Sequence, residues 1–420
     1  MSTRTATAAM IDLADPVMFH DPFPRYARLR RDAPVSIGRS KQLLRGEGYL
    51  VTRYEDVLQV HTDARLSSDL MRYGRGGRAV RYAPRMVRLL TDSMVFKDDP
   101  EHHRLRSLVN KAFTPRRVQQ MRDHIQRVVD ELVDDLATRN EVDLVAELAV
   151  PLPLRIISEM MGVGAADRAN FHHWTEQFTD GTGSGRTLDA LRALPTGRRM
   201  MQLFDRLAAE RRREPDDGLI TALVRAQDDG DQLADNEVVA MIFLLLLAGH
   251  DTTANLIGSS IVTLLDHPEQ MARLREEPEL IDTAVEELLR FTTPVPCGAA
   301  RIATEDVEIG GTTVPKGSPV LGMIISANRD EDAFDRPDEL DLGRTPNRHL
   351  TFAFGAHYCL GNQLARIEGR TAIRALVERF PDMRLAVPPA ELRYKPTQSL
   401  RGYREVPLVL ARGPLPSVRG

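Results

Sequence analysis

A mainly α-helical fold with a minor antiparallel β part is predicted for this chain of 420 residues, and three observations predict it. Apolar residues recur at helical spacing from about residue 100 to 291. Between residues 301 and 323 the pattern changes to apolar/polar alternation around the turn signals Gly310-Gly311 and Pro315-Lys316-Gly317, which reads as short antiparallel strands. The longest apolar run, VVAMIFLLLLAG at 238–249, is stopped by His250 and Asp251, well short of the roughly 20 residues a membrane-crossing helix needs. It reads as a buried core helix, and no membrane span is expected.

The elements follow in chain order. After a loose N-terminus over about residues 1–15, PFPRYARLRRDAP at 22–34 is a short helix between prolines, and GYLVTRYEDVLQVHTD is a strand running into a helix. Candidate helices then come from HRLRSLVNKAF, from PRRVQQMRDHIQRVVDELVDDLAT, from RIISEMMGV, from GRRMMQLFDRLAAERRR and from residues 278–291. Beyond the β segment, a turn-rich stretch at 328–347 leads to a last helix over about 360–380 and a closing strand at 404–410. With 42% apolar residues, no repeat and no low-complexity linker, residues 1–420 read as a single domain.

Composition narrows the function classes. A net charge of −4 gives the chain as a whole no polyanion-binding character, so no nucleic-acid partner is expected. Two cysteines, Cys297 and Cys359, allow at most one disulfide, and no secretion signal opens the chain, so a reducing cytoplasm fits best. Five of the 56 basic residues are lysines, the bias that arginine's codons produce in a high-GC bacterium.

Four groups of residues carry chemistry. Cys359 sits in TFAFGAHYCLGNQLARIEGR, between a glycine and aromatic run and a helical segment. A thiol near a helix N-terminus is favoured as thiolate, although a free cysteine is also a common buried small hydrophobe. Asp251 and Thr252 interrupt an apolar helix, where a buried carboxylate costs several kcal/mol unless it is paired or functional. His102 and Arg106, four apart, share a helix face, as Glu287 and Arg290 do at a spacing of three.

The run Phe352-x-x-Gly355-x-x-x-Cys359-x-Gly361 resembles the haem-binding loop of the cytochrome P450 monooxygenases. AGHDTT at 248–253, Glu287-Leu288-Leu289-Arg290 and His102-His103-Arg104-Leu105-Arg106 match the family in its order, so the resemblance covers nearly the whole chain. It implies the P450 fold and Cys359 as axial thiolate of haem b (iron protoporphyrin IX), a ligand that favours O–O cleavage. Phe352, Gly355, Gly361 and Ala248 would lie against the haem, and His102, Arg106, Arg301 and His357 would meet its propionates. Glu287 and Arg290 would form a structural ion pair, with Arg344 as third member, although Glu339 stands where some relatives carry arginine. Asp251 and Thr252 would be catalytic, delivering protons for dioxygen reduction. Met94, Val95, Leu247, Val295, Cys297, Ser399 and Leu400 are the implied substrate-pocket residues. One departure is Ala353, where the family commonly has glycine; a positive φ there would strain the alanine.

The implied activity is insertion of one oxygen atom of O₂ into a small organic substrate, by hydroxylation or epoxidation of a secondary metabolite or another apolar compound. No flavin- or iron–sulfur-binding segment is recognised, so electrons from NAD(P)H would arrive through a separate ferredoxin and ferredoxin reductase. Arg104, Lys111, Arg116 and Arg117 could steer an acidic partner. The same haem chemistry could instead serve coupling or desaturation, and a non-catalytic haem-binding or carrier-docking protein is the alternative of another class. Seven arginines (65, 72, 75, 78, 81, 85 and 88) against the single acid Asp69 raise the expectation of an anionic or carrier-tethered substrate.

Overall fold

The apolar run organises the molecule. In the computed structural model, which describes residues 10–40, 46–73, 85, 93–183, 187–216, 218–225, 235–395 and 397–410, it forms the centre of a 32-residue helix, Asp235–Asp266. A helix apolar on all sides must be covered on all sides. The helices Pro151–Met161, Thr187–Arg213, Ile281–Thr292 and Asn362–Arg379 pack around it. Among the described residues it is the one helix long and apolar enough by composition to cross a membrane, which the twelve-residue run alone did not suggest. Protein already covers 61% of its most apolar stretch.

Its neighbours form for legible reasons. In Arg122–Leu136, Ile125, Val128, Val129, Val133 and Leu136 make one buried stripe at helical spacing. The preceding segment, expected to continue the same helix, is a separate turn-and-a-half, Pro115–Gln120, capped by the Thr114 side chain accepting from the Arg117 N–H. Pro151–Met161 ends where Gly162 takes a left-handed φ of 74°, the conformation glycine adopts without a Cβ penalty.

The β part is larger than expected and mixed in direction. Six strands lie in the spatial order Ile11–Asp12, Val35–Arg39, Glu47–Val51, Pro319–Gly322, Arg301–Ala303 and Leu66–Ser67. The first pair and the Glu47–Val51 with Pro319–Gly322 pair are parallel, which corrects the purely antiparallel expectation. Alternation read along the chain finds hairpins, but a parallel partner comes from far away in sequence. The expected hairpin exists as Val307–Ile309 against Thr312–Val314, turned by Gly310 and Gly311 at φ 53° and 75°. The closing strand, Pro407–Val409, pairs with Glu141–Asp143 and Arg384–Leu385.

Candidate functional site

The segment before the last helix is a tight loop. Cys359 N–H donates to the Phe352 carbonyl at 2.9 Å and Tyr358 N–H to that of Gly355 at 3.0 Å. Gly355 has φ 72°, and a Cβ there would also sit 3.1 Å from the His61 carbonyl oxygen. Gly361 caps the helix Asn362–Arg379, and a Cβ on it would meet nothing within 4 Å, so the chain presents an open face next to the cysteine. Burial pushes the Cys359 thiol up, while the Gly361 N–H, Arg106 and Arg366 pull it down. The helix-terminus argument for a low thiol pKa is therefore outweighed by burial.

Ala353 has φ 59°. An L-residue with a Cβ pays about 1–2 kcal/mol in that region, part of which glycine returns as unfolded-state entropy. Ala353→Gly is therefore expected to stabilise the protein by up to about 1 kcal/mol, measured as a shift in the thermal midpoint of the haem-loaded form.

Next to this loop lies a buried basic cluster drawn from three segments. His102 begins the helix Glu101–Ala112, Arg301 begins a strand, His357 is in the loop, and Arg106 donates to the Tyr358 carbonyl at 2.7 Å. The His102 and His357 rings lie 4.1 Å apart, and His357 Nε2 is 3.0 Å from Ser68 Oγ, which also accepts from Arg301 Nη1. His102 Nε2 and Arg301 Nε are buried without a partner. Burial, then Arg301, His102, Arg106 and His61, drive the His357 imidazolium down to about 2. Burial alone is the main reason that the Arg301 guanidinium falls to about 10. Two guanidiniums, Arg106 and Arg301, thus stand beside buried polar atoms without partners, a chemistry suited to an anion.

The loop is braced from behind. Arg290 and Glu287, both 0% exposed, form a two-pronged ion pair at 2.7 Å per bond, and Arg344 Nε adds bonds of 3.1 Å to each Glu287 oxygen. Asn347 Nδ2 and the Asp341 N–H donate to the same carboxylate. Such a fully satisfied pair adds little net energy, but loss of one partner costs about 3–5 kcal/mol. Glu339 takes no part through its side chain, which pairs with Arg336; its carbonyl accepts from Arg290 and Arg344. Sequence reasoning missed a second brace. Burial raises the Glu286 carboxyl, but His349 and Arg366 reverse this and hold it at about 2, and the Arg366 guanidinium lies 4.4 Å over the Phe352 ring. It also missed Asn328, whose amide joins Thr293, Thr351 and Leu350. Arg366 and Glu286, each in a helical register facing the loop, were the available signal.

Midway along the central helix, Ala248 is exposed within a mostly buried run, and Thr252 Oγ1 donates to the Ala248 carbonyl at 2.8 Å. The Asp251 carboxylate lies 3.7 Å from Lys395 Nζ and 3.7 Å from His250 Nε2. Lys395, on the C-terminal hairpin, was not anticipated. Behind Thr253, Glu368 is 1% exposed with neither carboxyl oxygen in a well-formed hydrogen bond. Burial raises its pKa from 4.5 to about 8, little offset by the Thr253 hydroxyl. Because the folded value lies above the unfolded one, the protonated acid's contribution to stability is present below pH 4.5 and is lost as pH rises through about 8. Glu368→Gln should flatten the fall of unfolding free energy across that window, by a few kcal/mol at most, on the order of 1.4 per pKa unit.

The pocket candidates divide. Cys297, buried, has its Sγ 3.9 Å from the Gln398 carbonyl, and Pro296, Lys395, Gln398 and Leu400 line one cavity with Leu13 and Tyr26. Val295 and Ser399 flank that wall without lining it. Met94 is buried in the main core, and neither it, Val95 nor Leu247 reaches that cavity. Of the arginine-rich segment, residues 75, 78, 81 and 88 lie outside the described residues. Arg65 pairs with Asp63 at 2.7 Å and Arg85 with Asp205 at 2.6 Å, while Arg72 lies over the Tyr73 ring. Arg104, expected to steer a partner, is held by Glu237 at 2.5 Å; the side chain of Lys111 is outside the described residues.

A cysteine in a glycine-bounded loop thus lies beside buried basic residues with unpartnered polar atoms, and the long central helix carries a polar break at Asp251-Thr252. A family model described as Cytochrome P450 matches residues 195–389. Cytochrome P450 107B1 of Saccharopolyspora erythraea is 41% identical over 409 residues, covering 94% of this chain and 98% of the relative. Cytochrome P450 monooxygenase PikC of Streptomyces venezuelae is 38% identical over 398 residues, covering 94% and 92%. Among solved structures, the Bacillus subtilis bacillaene polyketide synthase cytochrome P450 PksS superposes with a TM-score of 0.87 at 37% identity, covering 96% of this chain and 100% of that one. The chain belongs to the cytochrome P450 family, and its activity is that of a haem-dependent monooxygenase using O₂.

Proposed function

We propose that residues 1–420 form one P450 domain that oxygenates a small apolar organic molecule of the secondary-metabolite kind, with Cys359 as the axial ligand. The observation that carries the site assignment is the pair of buried nitrogens without a partner, His102 Nε2 and Arg301 Nε, beside the Cys359 loop. Haem bound there supplies the activation of dioxygen and the cleavage of its O–O bond. The chain's own residues do the rest. His102, Arg106, Arg301 and His357 orient the cofactor's carboxylates; Phe352, Gly355, Gly361 and Ala248 give it flat, close-lying surfaces. Glu287, Arg290 and Arg344 hold the loop rigid. Thr252 holds a water, and Asp251 passes protons to it. Cys297, Val295 and Leu400 shape the substrate side.

The name of PksS places that protein in polyketide synthesis, which supports the substrate class proposed for this chain. We assign the electrons to NAD(P)H through a ferredoxin and its reductase in the bacterial cytoplasm, with the exposed Arg116 on the face offered to the donor. The test is reconstitution with a ferredoxin and reductase after a ligand screen read by the Soret shift of the ferric protein. NAD(P)H consumption with a product carrying one oxygen from ¹⁸O₂ is expected. Ligands that bind and are never oxygenated would overturn the reading.

A further inference from the structure

His61 lies at the end of the helix Tyr54–Thr62, in a position that the activity described above leaves unexplained. It is 7% exposed, and both of its ring nitrogens are buried without a hydrogen-bond partner. A polar side chain left this way costs about 1–3 kcal/mol per unsatisfied group, so a native position that keeps it calls for an explanation. The surroundings supply one. Its helix packs on the 355–357 turn, and the His61 carbonyl is what a Cβ on Gly355 would approach at 3.1 Å. Its ring occupies the space where Gly298 would carry a side chain: a Cβ there would lie 2.6 Å from His61 Cε1. Gly298 is three residues before Arg301, so the imidazole lies against the segment that leads into the strand carrying the buried arginine, while the His61 backbone meets the cysteine loop.

His61 is also part of the same electrostatic cluster. Arg301 depresses its pKa after burial does, and His61 in turn acts on His357. No acid contributes to the His61 shift, which is to about 4, so the ring is neutral and keeps one N–H to donate. Counted together, His61 Nδ1 and Nε2, His102 Nε2 and Arg301 Nε are four buried polar atoms without partners in one basic cluster. A group with two carboxylates, each able to accept several bonds, satisfies such a set.

We propose that His61 is a further binding residue for the haem carboxylates, donating a ring N–H to a propionate oxygen directly or through one water, and that Gly298 is glycine to admit it. The proposal rests on the haem assignment above, and the two fail separately. The thiolate signature under carbon monoxide tests the assignment, whereas His61 is read by cofactor retention and propionate vibrations.

The experiment uses the haem-loaded full chain. His61→Leu, similar in bulk and without a donor, is compared with His61→Gln, which keeps one. A hydrogen bond to a charged group is worth enough that its loss should speed haem transfer to an apomyoglobin scavenger by roughly 10-fold or more. The propionate bending band in the resonance Raman spectrum should shift with it, while the carbon monoxide band stays unchanged. His61→Gln should recover most of the wild-type rate. Wild-type haem loss and an unshifted propionate band in His61→Leu would overturn the proposal, as would equal losses in the leucine and glutamine proteins. If the leucine protein does not accumulate with haem, His61→Met takes its place against His61→Gln under the same two outcomes.

Discussion

Cys359→His is expected to abolish the strongly red-shifted Soret band that the reduced protein gives with carbon monoxide, and Cys297→Ser is expected to leave it intact. The two thiols differ in setting more than in exposure. Cys359 stands in a tight loop between Gly355, whose φ of 72° sets the turn, and Gly361, where a Cβ would meet nothing within 4 Å. Cys297 is 3% exposed, packed in a separate apolar cluster with Ile11, Tyr26 and Leu321, with its Sγ near the Gln398 carbonyl. An imidazole at 359 offers a neutral nitrogen, which donates less electron density than a thiolate. The band reports thiolate ligation directly, whatever the resting state of the free thiol. Full retention of the band in Cys359→His would reject the assignment.

How far the sequence reveals this molecule depends on the range of the interaction concerned. Helices were legible wherever one stripe of apolar residues faces the core, as in Arg122–Leu136 and Ile281–Thr292, because that pattern is local. The break at Met121 was not, since the apolar spacing runs on through it from Val118 to Ile125 without interruption. The parallel pairing of Glu47–Val51 with Pro319–Gly322 joins segments about 270 residues apart, as their register shows, and neither strand's alternation names its partner.

The site divides the same way. Cys359, the Glu287/Arg290 pair and the His102/Arg106 pair could be picked out because each is a short fixed spacing. Arg344 reaches Glu287 across a turn-rich stretch, and only the resemblance pointed to it. The positive φ at Ala353 was anticipated as a consequence of the missing glycine, and the backbone has it. His61 and Lys395 had no such handle. Their meaning comes from what burial or a distant segment puts beside them, and the charge argument for residues 65–88 weakened for the same reason once Arg65 and Arg85 were found with acids.

Thr252→Ala and Asp251→Asn are expected to fail in different ways, and the geometry says why. Productive O–O cleavage needs a proton delivered to one particular oxygen of the dioxygen under reduction, and a proton delivered elsewhere releases hydrogen peroxide. Thr252 already donates its hydroxyl hydrogen to the Ala248 carbonyl at 2.8 Å, so its oxygen is left as an acceptor that fixes an incoming water. A methyl group cannot do this. Thr252→Ala should keep consuming NAD(P)H while the ratio of product to cofactor falls and hydrogen peroxide rises. Asp251 has another task. Its carboxylate lies 3.7 Å from both Lys395 Nζ and His250 Nε2, at ion-pair range yet outside hydrogen-bond distance of either, which suits the proton-passing role proposed for it. An amide in its place cannot take up and release a proton. Asp251→Asn should slow the whole cycle by up to about 10⁴-fold, the upper range of general acid–base contributions, with a smaller change in coupling. Both variants must retain the thiolate band under carbon monoxide for the comparison to hold. Wild-type rate and coupling in Thr252→Ala on the natural substrate would show that the proton reaches dioxygen by another path, through a substrate hydroxyl or a second chain of waters.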